Sequence, residues 1–236
     1  MKVFVLLAAA AATFSPLIAH AEITGGQLTL SHSAFTDDTD LSKTSLEGSM
    51  EFGFNRDVSI QGDLSFSQFN TSDLDITNIA AHGIYHLNET TSLGLFLARD
   101  EVSDGSADFV GLEAGHEAGA LDLEGYLAIG DNEGTDGTII GISGRHAMSD
   151  TVGFGASLDH GNFDNVLEVT RYSIDADYSF TPTTSLSAEL GYTNFSVSTL
   201  GSATEPYVKL GATIKFGAKR GSTFGKRSIT NLLPGL

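Results

Sequence analysis

The chain has 236 residues, with no Cys, no Trp, 27 Gly and only 4 Pro, and its 12 Lys and Arg stand against 30 Asp and Glu for a formal net charge of −18. That length supports one domain, or two small ones at most. The acidity excludes a nucleic-acid partner, which needs a concentrated basic face, and the missing Cys excludes a disulfide scaffold, a Cys-ligated zinc site and thiol chemistry.

From the N-terminus, Lys2 precedes an apolar run over Val3–Ala12, and Ala19-His20-Ala21 fits the small-x-small cleavage pattern. Residues 1–21 therefore read as an export leader, too short in its apolar core and broken by Pro16 to be a membrane helix. After Ala21 the sequence is written in strand period. Leu46, Gly48, Met50, Phe52 and Phe54 alternate with Glu47, Ser49, Glu51 and Gly53. Val58, Ile60, Gly62, Leu64 and Phe66 alternate with Ser59, Gln61, Asp63 and Ser65. The same period-2 pattern returns at 121–129, 152–158 and 206–216, which gives each strand one apolar and one polar face. Twelve segments are predicted, near 23–35, 42–54, 58–69, 75–87, 91–102, 107–117, 120–130, 138–147, 151–161, 166–180, 184–196 and 205–217. Ten or fourteen are the alternatives. No stretch sustains a 3.6-residue period with caps, so almost no helix is expected.

The predicted connections fall into two alternating classes. Tight turns are expected at 55–57, 88–90, 118–119, 148–150 and 181–183, and longer acidic loops at 36–40, 70–73, 103–105, 131–137, 162–164 and 198–204. Two architectures suit such strands. A soluble sandwich buries the apolar faces against each other; a membrane barrel turns them to lipid and its polar faces inward. The segments are longer than the usual strand and long enough to cross a bilayer when tilted. Gly53, Gly94, Gly111, Gly153, Gly155, Gly191 and Gly211 fall mid-strand on polar faces, where they ease crowding inside a closed sheet. Phe52, Phe54, Tyr85, Tyr178, Phe180, Tyr192 and Phe216 sit near strand ends, where an interfacial girdle lies. The fold class is accordingly all-β, an antiparallel up-and-down transmembrane barrel over 22–217.

On this pattern the sequence resembles a small Gram-negative outer-membrane β-barrel of the porin type. Lys209-x-Gly211-x-x-Ile214-x-Phe216 fits the last-strand assembly signal of such proteins, with Ile214 where an aromatic is commoner and about twenty residues following instead of a chain end. The resemblance implies an outer-membrane site with both termini periplasmic and the longer loops outside. It implies contact with outer-membrane lipid and lipopolysaccharide, insertion by the barrel-assembly machinery, and passive diffusion of small cations and polar solutes. A non-conducting structural or adhesin-like barrel with a filled interior is the rival.

The leader carries Lys2 and the tail carries Lys219, Arg220, Lys226 and Arg227, which leaves seven bases against all 30 acids over 22–217, a net −23. Glu51, Asp63, Glu113, Glu124, Asp175, Asp177 and Glu189 on polar faces, with Arg145, Arg171, Lys209 and Lys215 opposing, are the candidate pore-lining residues. A lumen lined mainly by carboxylates prefers cations. Asp37, Asp38, Asp40, Asp100, Glu101, Asp104, Asp131, Glu133 and Asp136 read as loop acids. No catalytic residues, metal ligands or cofactor are expected. There is no Gly-x-Ser-x-Gly, and His82 and His86 on one strand stand about 13 Å apart, too far to share an ion. Residues 218–236 read as a basic periplasmic tail, most simply a disordered end. An amphipathic segment on the inner leaflet and a plug reaching into the acidic lumen stay open.

Overall fold

The computed structural model describes residues 22–71, 75–102, 105–132, 135–164, 166–198, 201–218 and 221–235. The predicted leader, and Asp73, Asp104, Glu133, Lys219 and Arg220, lie outside the described residues.

The described residues form twelve strands: β1 (Glu22–Phe35), β2 (Ser42–Gly53), β3 (Val58–Phe69), β4 (Asp75–Asn88), β5 (Thr91–Val102), β6 (Gly105–Ala118), β7 (Leu121–Asn132), β8 (Thr135–Ala147), β9 (Val152–Phe163), β10 (Leu167–Thr181), β11 (Thr184–Val197) and β12 (Gly201–Phe216). Each pairs antiparallel with its neighbours in sequence, and β1 pairs with β12 from Gly26↔Phe216 to Phe35↔Tyr207, which closes the barrel. Closure leaves no strand edge, the condition for an all-strand structure to cross lipid.

The alternation decides which face meets which medium. On β3, Ser59, Gln61, Asp63, Ser65 and Ser67 are buried inside, while Ile60, Leu64 and Phe66 point out. The same split on the other strands builds an outer band that includes Leu30, Leu95, Leu112, Leu127, Ile142, Ile174, Leu190 and Leu210. A one-residue slip in any strand would turn its apolar set inward, so the period fixes the register. Outward aromatics gather at the end where the chain enters: Phe52, Tyr85, Tyr178 and Phe216 are near that rim, with Phe180 set edge-on to Tyr178 at 5.0 Å. Tyr172 and Tyr192 stack at 5.6 Å in the other half. Inward glycines make room for inward rings: a side chain at Gly111 would collide with Phe96, and one at Gly191 with Tyr207.

The two expected classes of connection differ less than the sequence suggested. Pairing continues through residues that read as loop, with Val102↔Gly105, Asn132↔Thr135 and Val197↔Gly201 closing hairpins on that side. Beyond the lipid a strand needs no apolar face, only a backbone partner, so the ladder runs on where alternation fades. Asp131 and Asp136 thus pair across β7 and β8, while Asp100 and Glu101, grouped with the loop acids, lie in β5 within the bounds predicted for it.

Leu112 stands mid-strand in the apolar band. Leu112→Arg should lower stability in lipid by about 2–4 kcal/mol, the cost of a charge at the bilayer midplane, read from the urea midpoint of refolding into vesicles. An unchanged midpoint would mean that this face does not meet lipid.

Candidate functional site

The barrel is not hollow. Residues 221–235, in the segment expected to lie in the periplasm, run through the lumen from one end to the other. Gly221 lies against Gly25 beside the rim where β1 begins. Thr223 donates through its N–H and its hydroxyl to Glu51 at 2.9 and 2.6 Å. Deeper in, Ser228 Oγ and the Ile229 N–H both donate to Asp100, each at 2.7 Å. A single 3-10 turn at Ile229–Asn231 follows. At the far rim Ser33 donates to the Pro234 carbonyl, and Gly235 packs against Leu41, between β1 and β2. Glu22 and Gly235 therefore lie at opposite ends of the barrel, which corrects the expectation of both termini on one side. The physical reason is complementarity. Lys226 and Arg227 meet inward carboxylates, and Ile229, Leu232 and Leu233 meet an apolar inner patch that includes Phe109, Ile139 and Val169.

That patch is a second departure. The alternation predicts a mainly polar inward face, with Phe96 and Tyr126 as the inward aromatics; Phe96 is indeed inward, and Phe35, Phe69, Ile76, Ile84 and Phe109 are buried there as well. Leu232, fully buried, packs in one cluster with Phe96 and Phe109 and stands there in place of water.

The centre of the lumen is built around Arg227. Its guanidinium donates to Glu113 on β6 at 2.9 Å and to Glu124 on β7, and it lies 4.3 Å over the ring of Tyr126 and 5.7 Å from that of Phe96. A buried cation is tolerated when paired on this scale. Glu113 also faces His82 at 2.7 Å, and the other ring nitrogen of His82 faces Asp63 at 2.9 Å. Phe224 stacks parallel to that ring at 6.5 Å, in the space left by Gly94 and Gly115. Lys226 pairs with Glu47 at 2.9 Å.

The predicted lining residues divide into four sets. Glu51, Asp63, Glu113 and Glu124 hold the threaded segment or its supporting His82. Arg171, Glu189 and Lys209 form a wall network: Arg171 donates to Asp159 at 2.6 Å, to Glu189 at 2.7 Å and to the Tyr207 hydroxyl at 3.0 Å, with Lys209 3.5 Å from Glu189. Arg145 forks onto Asp177 at 2.7 and 2.8 Å. Asp175 and Lys215, with Glu89, Glu117, Asp122, Glu124 and Arg145, line a cavity of about 690 Å³ at the end where the chain enters. His86 borders this cavity between Ser59 and Ser92, so the two histidines have separate partners. Among the described residues no group of three or more acidic or histidine side chains is placed to hold a metal ion.

Several site residues were not singled out from sequence. Gln61, Asn78 and Asp159 follow from alternation alone, which puts them inside. Asp100 is grouped with the loop acids although the predicted segment 91–102 already contains it; its inward facing in β5 follows from the alternation. Lys43 is inward at the far rim, where its ammonium donates to the carbonyls of Thr230, at 2.6 Å, and Leu233.

No family model matches the sequence, and no curated protein matches it. Solved structures do. The NanC porin superposes with a TM-score of 0.65 at 9% identity, over 80% of this chain and 100% of that one. The KdgM porin gives 0.60 at 11% identity, over 80% and 99%. The COG4313 outer membrane channel from Pseudomonas putida F1 gives 0.57 at 14% identity, over 82% and 95%. The fold is that of a porin-type outer-membrane barrel.

Arg227→Met leaves Glu113 and Glu124 facing each other without their cation, a loss of about 3–5 kcal/mol for a broken buried pair. The barrel escapes most of that cost by releasing the segment. Proteinase K should therefore trim the C-terminal end of the variant and spare that of the parent, as read by intact mass, with the strands protected in both.

Proposed function

We propose that this protein is a porin-like channel of the outer membrane, preferring small cations and small polar solutes, whose passage is narrowed by its own C-terminal segment. The observation that carries the reading is the cavity of about 690 Å³ inside the barrel, lined by Glu89, Glu117, Asp122, Glu124 and Asp175 against Arg145 and Lys215. A low-dielectric wall with an excess of one sign concentrates the opposite ion. The likeness to proteins described as porins and as an outer-membrane channel supports the placement. The apolar band supports contact with outer-membrane lipid, and lipopolysaccharide is proposed as the outer-leaflet partner on the same reading. Lys209, Gly211, Ile214 and Phe216 on β12, the strand that closes the barrel, are offered as the signal read by the assembly machinery.

A second reading, a non-conducting barrel with a filled interior, is favoured by one observation: Leu232 and Phe224 are buried as completely as residues of a protein core. Planar-bilayer recording separates the two. The parent should show a small conductance with reversal potentials favouring potassium, more strongly at low salt, where screening is weak. Asp122→Asn with Asp175→Asn should reduce that preference by about two-fold or more, since these carboxylates face the open cavity and not the threaded segment. Arg227→Met should raise the conductance. Anion preference in the parent would overturn the cation reading; silence in both the parent and Arg227→Met would favour the filled barrel.

A further inference from the structure

We infer that the lumen is a peptide-binding groove, selective for an extended segment that carries adjacent basic side chains, and that residues 222–234 are its resident occupant in a site that an external basic peptide can take. The inference rests on the channel reading, because an external ligand needs a way in.

The main observation is how the wall addresses the segment. Side chains from separate strands read main-chain groups and not only side chains. Gln61 on β3 takes both sides of one residue, accepting from the Phe224 N–H at 3.1 Å and donating to its carbonyl at 2.9 Å. Glu51 accepts the N–H of Thr223, Glu124 that of Gly225 at 3.2 Å, and Asp100 that of Ile229. Asn78 donates to the Arg227 carbonyl at 2.9 Å, and Lys43 to those of Thr230 and Leu233. This is recognition of a polypeptide backbone in a fixed direction. Sequence preference is added at three points. Glu113, Glu124 and Tyr126 clamp a guanidinium, Glu47 takes the preceding ammonium, and the inner patch around Val169 takes an aliphatic side chain five residues beyond the arginine.

The second observation is that the occupant is separable. The closed sheet contains β1 to β12 alone, and every ladder is complete without residues 221–235. The segment contributes one 3-10 turn and no strand. Its removal breaks side-chain contacts and leaves the barrel's backbone hydrogen bonds in place. What the wall then presents is a row of carboxylates and amides, the chemistry that a second basic peptide satisfies and an anionic or neutral solute does not.

The test uses the full chain. Because the sequence has no Cys, Leu232→Cys places a unique thiol at a position that is fully buried in the parent. A synthetic peptide matching residues 221–235, added in trans, should displace the resident segment and raise the rate of maleimide labelling by about ten-fold at saturation. The same peptide with glutamine at the two basic positions should leave the rate unchanged, since losing charge-assisted pairs costs about ten-fold or more in affinity. Heat-modifiable gel migration checks that the variant is folded, and Arg227→Gln in the same background supplies a second route to release. Faster labelling with the matched peptide alone supports the inference. Equal acceleration by both peptides, or none by the matched one, overturns it, and labelling that rises in Arg227→Gln without any peptide response identifies an internal tether that admits no external chain. Conductance of the same samples tests the channel reading separately: peptide exchange in a silent barrel sinks the channel and keeps the groove, and an open barrel indifferent to peptide does the reverse.

Discussion

A sheet edge inside lipid exposes a row of N–H and C=O groups with nothing to bond, each at a cost of several kcal/mol. The pairing of Gly26–Phe35 with Tyr207–Phe216 removes both edges at once, and the rest of the molecule answers to it. Closure with a period-2 backbone sends alternate side chains to two different media. The outer set has no choice but to be apolar, and the inner set inherits a confined space that has to be solvated or filled.

The interior meets that requirement in two ways. Around β8 to β12 wall charges pair with one another, Arg171 spanning Asp159 and Glu189, and Arg145 matched to Asp177. Around β2 to β7 it does not: Glu47, Glu51, Glu113, Glu124 and Asp100 would face one another across a low-dielectric space. The threaded segment brings two cations and several backbone amides to these groups, and its Leu232 covers the adjoining apolar patch. The segment and the wall are each poorly solvated without the other. That is why an end of the chain rich in Lys, Arg and Leu lies along the lumen, and why glycines such as Gly94 and Gly115 stand where Phe224 needs space.

These contacts also change the meaning of the acidic residues. Glu51, Asp63 and Glu124 look equivalent when the strands are read one at a time, since each has apolar neighbours on both sides. In the barrel Glu51 and Glu124 bind the segment and Asp63 supports His82, while Asp122 and Asp175 face the open cavity. A charge that attracts passing ions and a charge that anchors a polypeptide are distinguished only by what stands opposite.

The sequence by itself determined the strand pattern, its antiparallel direction and the facing of most residues, because alternation is a local property; it pointed to twelve strands with ten or fourteen open, and the pairing of β1 with β12 decided the number. It also determined that carboxylates such as Asp63 and Glu113 point inward. It did not determine where the strands stop on the side of the acidic loops, since Asn132 and Thr135 pair in the ladder but carry no apolar signature in the sequence. The path of residues 221–235 was decided by tertiary structure. Plug, surface segment and loose end share one composition, and the choice among them is made by Glu113 on β6, Tyr126 directly across from it on β7 and Glu124 two residues along β7, where a single guanidinium reaches all three. That coincidence joins residues more than a hundred positions apart in the chain, and only the closed barrel brings them together.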